Sequence, residues 1–154
     1  VYHYDYPRPA VTVDIVLFSR VKGDFSPYAS HYRTFQVLLI KRGKEPFKDC
    51  WALPGGFVDA DEDLIDAAKR ELLEETGVDS DDLKQVGAVG TPGRDPRGHT
   101  ISIVFSAFEY EAPTVKAGDD AVDFKWVAMD VLHKEQLAFD HLDVIQMAFE
   151  ALPE

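Results

Sequence analysis

GFVDADEDLIDAAKRELLEETGV, residues 56–78, is a glycine turn that runs into a helix and stops at a second glycine. Leu64, Ile65, Ala68 and Leu72 recur on one side of that helix and can bury against a sheet. Glu71, Glu74 and Glu75 fall on the other side at i, i+3 and i, i+4 spacing. Asp61, Glu62 and Asp63 are expected in the first turn, where carboxylates suit the positive end of the helix dipole, and Gly77 at the C-terminal stop. Carboxylates one turn apart repel slightly, and a divalent cation removes that penalty. Magnesium takes oxygens in an octahedron and keeps several waters, so a few carboxylates plus substrate phosphates suffice. Charge alone would make this helix a solvated acidic face. The preceding WALPGG, residues 51–56, shifts the reading to a metal site: Pro54-Gly55-Gly56 brings backbone close to the Glu71 and Glu75 side, where a side chain would obstruct. Arg70 can pair with Glu74 one turn on, and Glu62 reads as a capping or supporting residue rather than a direct ligand.

Working outward, Ala10–Ser19 alternates and is rich in β-branched residues, which predicts a strand. Residues 34–41, TFQVLLIK, read as a buried strand, and residues 51–53 as a short extended piece halted by Pro54-Gly55-Gly56. Further strands are expected over 83–89, 100–109 and 122–127, a short helical link over 131–137, and an amphipathic helix over 142–151. Residues 20–33, 91–98 and 111–120 are loops by composition. Strands on either side of a central helix, with a second helix at the end, imply an α/β fold: a three-layer α/β/α sandwich with a mixed sheet.

The 154 residues fit one domain, 1–154, with the aromatic, proline-broken residues 1–9 as an N-terminal arm. The single Cys50 excludes an intrachain disulfide and a cysteine zinc cluster, and reads as a small apolar filler. No apolar run approaches a membrane span and no basic signal segment opens the chain, so a cytoplasmic protein is expected. A net charge of -12, without a dense Lys/Arg patch, argues against a nucleic-acid surface. The histidines form no cluster: His31, His133 and His141 read as isolated, and His3 lies among tyrosines.

From Trp51 to Val78 the chain resembles the signature of the Nudix hydrolases. Gly56, Glu62, Arg70, Glu71, Glu74, Glu75 and Gly77 stand at its fixed positions, with Leu72 and Val78 at aliphatic ones. The resemblance implies hydrolysis of a nucleoside diphosphate linked to another moiety, with Mg2+ or Mn2+ held by Glu71, Glu74 and Glu75. It also implies a salt bridge from Arg70 to Glu74 and a structural role for Gly56. Glu74 and Glu75 are then the helix's candidates for the deprotonating group. Asp95, Glu109, Glu111, Asp119 and Asp120 are the acids outside it, of which the Asp119–Asp120 pair follows a glycine in a loop.

The substrate must be chosen by the loops. In TPGRDPRGHTISIVF, residues 91–105, Arg94 and Arg97 are forks that suit phosphate oxygens, and the alternative is local pairing with Asp95. His99 either orients phosphate or bonds within its own turn. The RDPRGH segment resembles the ADP-ribose pyrophosphatase branch of the family, and also the Nudix-like domains of transcriptional regulators of nicotinamide metabolism. That resemblance implies ADP-ribose, cleaved to AMP and ribose 5-phosphate. An intact motif and a tail with one helix and no basic recognition helix favour the enzyme over the regulator. Nucleoside triphosphates, dinucleotides or sugar nucleotides are the alternative substrates, and a non-catalytic ADP-ribose-sensing module is the alternative class. Tyr2, Tyr4, Tyr6, Phe18, Tyr28, Tyr32, Phe47 and Trp51 are the aromatics available to an adenine, with Phe18 and Trp51 expected in the core. The arm tyrosines either take the base or pack in a homodimer.

Overall fold

The computed structural model describes residues 1–23, 31–118 and 120–153. Seven strands form one sheet: β1 (Ala10–Arg20), β2 (Phe35–Arg42), β3 (Trp51–Ala52), β4 (Gly55–Phe57), β5 (Lys84–Val89), β6 (Thr100–Glu109) and β7 (Ala121–Ala128). The helices are α1 (His31–Thr34), α2 (Leu64–Thr76) and α3 (His141–Glu150), with a 3-10 turn over Met129–Lys134. The sheet is mixed and helices flank it, as the α/β reading expected.

β1 organises the fold. Along one edge it runs parallel to β6 from Ala10↔Thr100 to Ser19↔Glu109. Along the other edge it is shared, pairing with β4 over Thr12–Asp14 and with β2 over Phe18–Arg20. That division opens a fork in the sheet between β4 and β2. Residues 12–19 are all buried rather than alternately so, because helices cover both faces. Val16 and Phe18 pack with Val144, Ile145 and Ala148 of α3, whereas Val13, Ile15 and Leu17 pack with Ala67, Ala68 and Leu72 of α2.

Two local expectations are corrected. Pro54-Gly55-Gly56 was expected as a turn that halts a strand and approaches Glu71 and Glu75, yet Gly55–Phe57 also forms β4, a strand of low intrinsic propensity held by its pairing with β1. Asp61, Glu62 and Asp63 precede α2 rather than crowding its first turn. Asp61 takes φ 62° and bends the chain back, and Asp63 occupies the N-cap position without a side-chain capping bond. Gly77 ends α2 at φ 71° as expected, returning its N–H to the Leu73 carbonyl. The incoming loop completes the cap: Lys116 N–H donates to Thr76 O and Gly118 N–H to Glu75 O. No helix among the described residues is long and apolar enough to cross a membrane.

Leu72 seats α2 on the sheet and is fully buried, while its neighbour Leu73 is about half exposed. Leu72→Ala is expected to cost about 2–5 kcal/mol in urea unfolding, and Leu73→Ala no more than about 0.5 kcal/mol. Equal losses at the two positions would contradict this seating.

Candidate active site

The fork opens onto a cavity of about 350 Å³, within the range of small-molecule sites. α2 supplies Glu71 and Glu75 to its wall, one helical turn apart, and β4 supplies Gly55, Gly56 and Phe57. Close approach requires a glycine at Gly55, where a Cβ would run into the Val13 carbonyl oxygen; at Gly56 a Cβ would stand 2.5 Å from Glu71 Oε1 and displace that carboxylate. Gly55 N–H instead donates to Glu75 Oε2 at 3.1 Å. Burial pushes the Glu75 carboxyl up to about 8 against that bond, with the Glu71 charge adding to the rise. The Glu71 carboxyl is also raised, first by burial and in spite of Arg70.

Arg70 binds more partners than helical spacing indicates. Its Nε and Nη2 donate to the two Glu62 oxygens at 2.7 and 2.9 Å, its Nη1 to Glu71 Oε1 at 2.8 Å and Glu74 Oε2 at 3.3 Å, and Nη2 also to Phe57 O at 3.1 Å. The Arg70–Glu74 pair therefore exists, but the fork-on-fork partner is Glu62, brought back by the turn at Asp61. Those bonds hold the Glu62 carboxyl down to about 2. Glu74 is exposed and stands outside the cavity lining.

Arg94 and Arg97 both line the cavity. Arg94 is buried and grips Asp140 through two bonds of 2.9 and 2.7 Å. Arg97 grips the buried Asp95 at 3.1 and 2.8 Å, the local pairing weighed as its alternative. His99 stands apart from the cavity, with its Nε2 2.9 Å from the Gly90 carbonyl oxygen. Asp120 lies at the cavity edge, paired with Lys44 at 2.7 Å. Asp119 and Tyr28 lie outside the described residues, as does the Tyr32 side chain. Tyr2 and Tyr6 are exposed, Tyr4 stacks with Tyr2 beneath Arg8, and Phe18 is core. Phe47 does not line the cavity but packs on Phe139, which does.

Sequence reasoning missed several lining residues. His141, read as isolated, is buried at the cavity floor; its Nδ1 accepts the Leu53 N–H at 3.0 Å and its Nε2 lies 3.5 Å from Asp14 Oδ1. Burial holds its pKa below the ordinary histidine value. Asp14 in turn accepts the Ser102 hydroxyl and faces Arg94 at 3.9 Å. A lone carboxylate inside the apolar strand VTVDIVLF was its visible signal. Nothing local marked Arg42 and Phe139, which approach each other from distant parts of the chain.

Among the described residues, no three His, Cys, Asp or Glu side chains are grouped closely enough to hold a metal ion as they stand. The donors still suit a hard cation. Glu71 and Glu75 offer only oxygens to one cavity, Gly56 leaves room for the Glu71 carboxylate, and a hexacoordinate ion completes its shell with water and phosphate.

A family model described as NUDIX domain matches residues 8–148. The chain is 40% identical over 150 residues to the ADPR responsive transcriptional repressor NtrR of Acinetobacter baylyi, covering 96% of this chain and 56% of that one, so it spans little more than half the repressor's length. It is 41% identical over 141 residues to the ADP-ribose pyrophosphatase of Methanocaldococcus jannaschii, covering 92% of this chain and 73% of that one. The NUDIX domain of Shewanella oneidensis NrtR, solved with ADP ribose, superimposes with a TM-score of 0.82 at 32% identity, covering 97% of this chain and 94% of that one.

The raised Glu75 carboxyl has a consequence for stability. An unfolded glutamate titrates near about 4.3, so between there and about 8 the folded protein holds the extra proton and unfolding free energy falls as pH rises. In chelator, wild-type protein is expected to lose melting temperature steadily from pH 5 to pH 8, and Glu75→Gln to lose less of it. Parallel melting curves for the two proteins would count against a buried, uncompensated Glu75.

Proposed function

The chain belongs to the Nudix family as a pyrophosphohydrolase domain, and on that premise we propose that it hydrolyses ADP-ribose to AMP and ribose 5-phosphate with Mg2+ or Mn2+. The observation that carries this reading is the pairing of Glu71 and Glu75 against Gly55 and Gly56 in one cavity that arginines and aromatic rings also line. Two partly buried carboxylates that resist ionisation favour a cation beside them. Glu71 and Glu75 would hold the ion from the cavity, and Glu74 would join by turning from Arg70. When bound, a divalent ion neutralises phosphate charge and acidifies a water.

The protein's own groups then have distinct tasks. Arg70 fixes the Glu71 carboxylate and, through Phe57 O and Glu62, the turn that carries Gly56. Glu74 and Glu75 are the helix's candidates to take the proton of the attacking water, and Asp120 is a candidate outside the helix that lines the cavity. Arg94 and Arg97 line the substrate side with their carboxylate partners. His99 stays with this reading only as a support of the 91–99 loop, through Gly90. The same reading takes residues 1–154 as one cytoplasmic domain without a nucleic-acid groove, with the exposed tyrosines of residues 1–9 available either to take the base or to pack in a homodimer.

A second reading has its own support. The similarity to an ADP-ribose-responsive repressor, and to a repressor domain solved with ADP ribose, favours a module that binds ADP-ribose without turnover. The complete set Glu71, Glu74 and Glu75 favours the enzyme.

Chromatography of products from a panel of ADP-ribose, nucleoside triphosphates, dinucleotides and sugar nucleotides separates these readings. With Mg2+ or Mn2+, AMP and ribose 5-phosphate are expected from ADP-ribose as the preferred substrate, and chelator abolishes the reaction. Pyrophosphate released from triphosphates would move the substrate assignment, and binding without turnover would establish the sensing module. Glu71→Gln and Glu75→Gln are each expected to lower kcat/KM about 100-fold or more, some 2.7 kcal/mol or more of barrier.

A further inference from the structure

Most cations around the cavity are already bound to carboxylates. Arg94 is held by Asp140, Arg97 by Asp95, Arg70 by Glu62, Glu71 and Glu74, and Lys44 by Asp120. Arg42 differs. It lines the cavity, is half-buried, and forms no ion pair with any described carboxylate.

Its placement is built rather than incidental. Arg42 ends β2 where the register with β7 shifts between Lys41 and Arg42, an irregularity of the kind that re-aims a side chain. The backbone around it is tied, with Arg42 N–H donating to Cys50 O and Asp49 N–H to Arg42 O. Its Nε donates to Pro46 O at 2.7 Å, and its guanidinium carbon lies 5.0 Å from the Phe139 ring centre. Phe139 is itself held at φ 52° and packed on Phe47, also at positive φ, 4.7 Å away. Bulky side chains seldom adopt that backbone, and surrounding structure must hold them there. One edge of the Arg42 fork is thus fixed, while the two terminal nitrogens make no hydrogen bond to a described residue. The Arg97 guanidinium, paired with Asp95, lies 5.7 Å from the same Phe139 ring. Burial first and the Arg97 charge second push Arg42 below its ordinary pKa, against the opposing pull of Glu75, Asp95 and Asp120, none of which bonds to it.

We propose that Arg42 is a phosphate-binding residue of this cavity, its two terminal nitrogens clamping one phosphate of the nucleotide substrate. This deepens the nucleotide-hydrolase reading and rests on it. A guanidinium with one edge held and the other free matches phosphate oxygens in geometry and charge.

Titration calorimetry in chelator, where no turnover occurs, tests it with ADP-ribose, AMP and the uncharged adenosine. Arg42→Met keeps a long stem against Phe139 and removes the charge; if that protein fails to melt cooperatively, Arg42→Gln takes its place. Loss of a charge-assisted hydrogen bond is expected to weaken ADP-ribose and AMP by about tenfold or more and to leave adenosine unchanged. Undiminished ADP-ribose binding would overturn the proposal, and so would an equal loss for adenosine, which is what a merely structural role predicts. If wild-type protein binds neither nucleotide, the functional reading fails, and inorganic pyrophosphate replaces them. Pyrophosphate binding that the variant weakens upholds Arg42 as an anion site, whereas equal or absent binding overturns it.

Discussion

The backbone of Gly55 joins the three parts on which the site depends. It pairs with Asp14 of β1, it leaves no room for a Cβ before the Val13 carbonyl, and its N–H reaches the Glu75 carboxylate of α2 at 3.1 Å. A side chain there would push β4 off β1 and close the fork between β4 and β2. With Gly55 in place, Gly56 falls beside Glu71, and the helical rise sets Glu71 and Glu75 along one wall of the cavity. The apolar side of the same helix, through Ala67, Ala68 and Leu72, is fixed on the sheet. Helix, sheet and cavity are therefore positioned by one close contact and one packed face.

Electrostatics then divides the carboxylates by their surroundings. Arg70 serves Glu62, Glu71 and the exposed Glu74, yet the partial burial of Glu71 and Glu75 makes those two ionise reluctantly. The chain carries a net charge of -12, yet the cavity wall gathers Arg42, Lys44, Arg94 and Arg97 beside its acids. A wall carrying both signs of charge suits a cation and a diphosphate together. Asp14, His141 and Arg94 of the lining, with Asp140 behind them, continue this charge pairing. Their mutual contacts satisfy polar groups that burial would otherwise penalise.

Much of the fold was legible. The β6 limits Thr100–Glu109 follow from its alternation, and the α2 stop follows from Gly77, because both signals are local. β4 was not legible, since its glycines oppose strand formation and only β1 compensates. Glu62 was legible as a supporting residue but its partner was not, because only the backbone turn at Asp61 brings it back to Arg70. In the site, the spacing of Glu71 and Glu75 was readable from helical period, while the exposure of Glu74 was not. Arg94 and Arg97 stood out as loop cations and both line the cavity, but Asp140, the partner of Arg94, lies 46 residues away.

The sequence by itself determined the helix, its glycine turn and stop, the acids it carries and the Nudix resemblance that follows from them. Those depend on period and backbone freedom within a few residues. Only the tertiary structure decided which acids face the cavity, which arginines are already paired, and that Asp14, Arg42, Phe139 and His141 meet there. The reason is physical: burial and ion pairing depend on distances in space, and the β1 fork joins segments whose separation along the chain carries no record of that meeting.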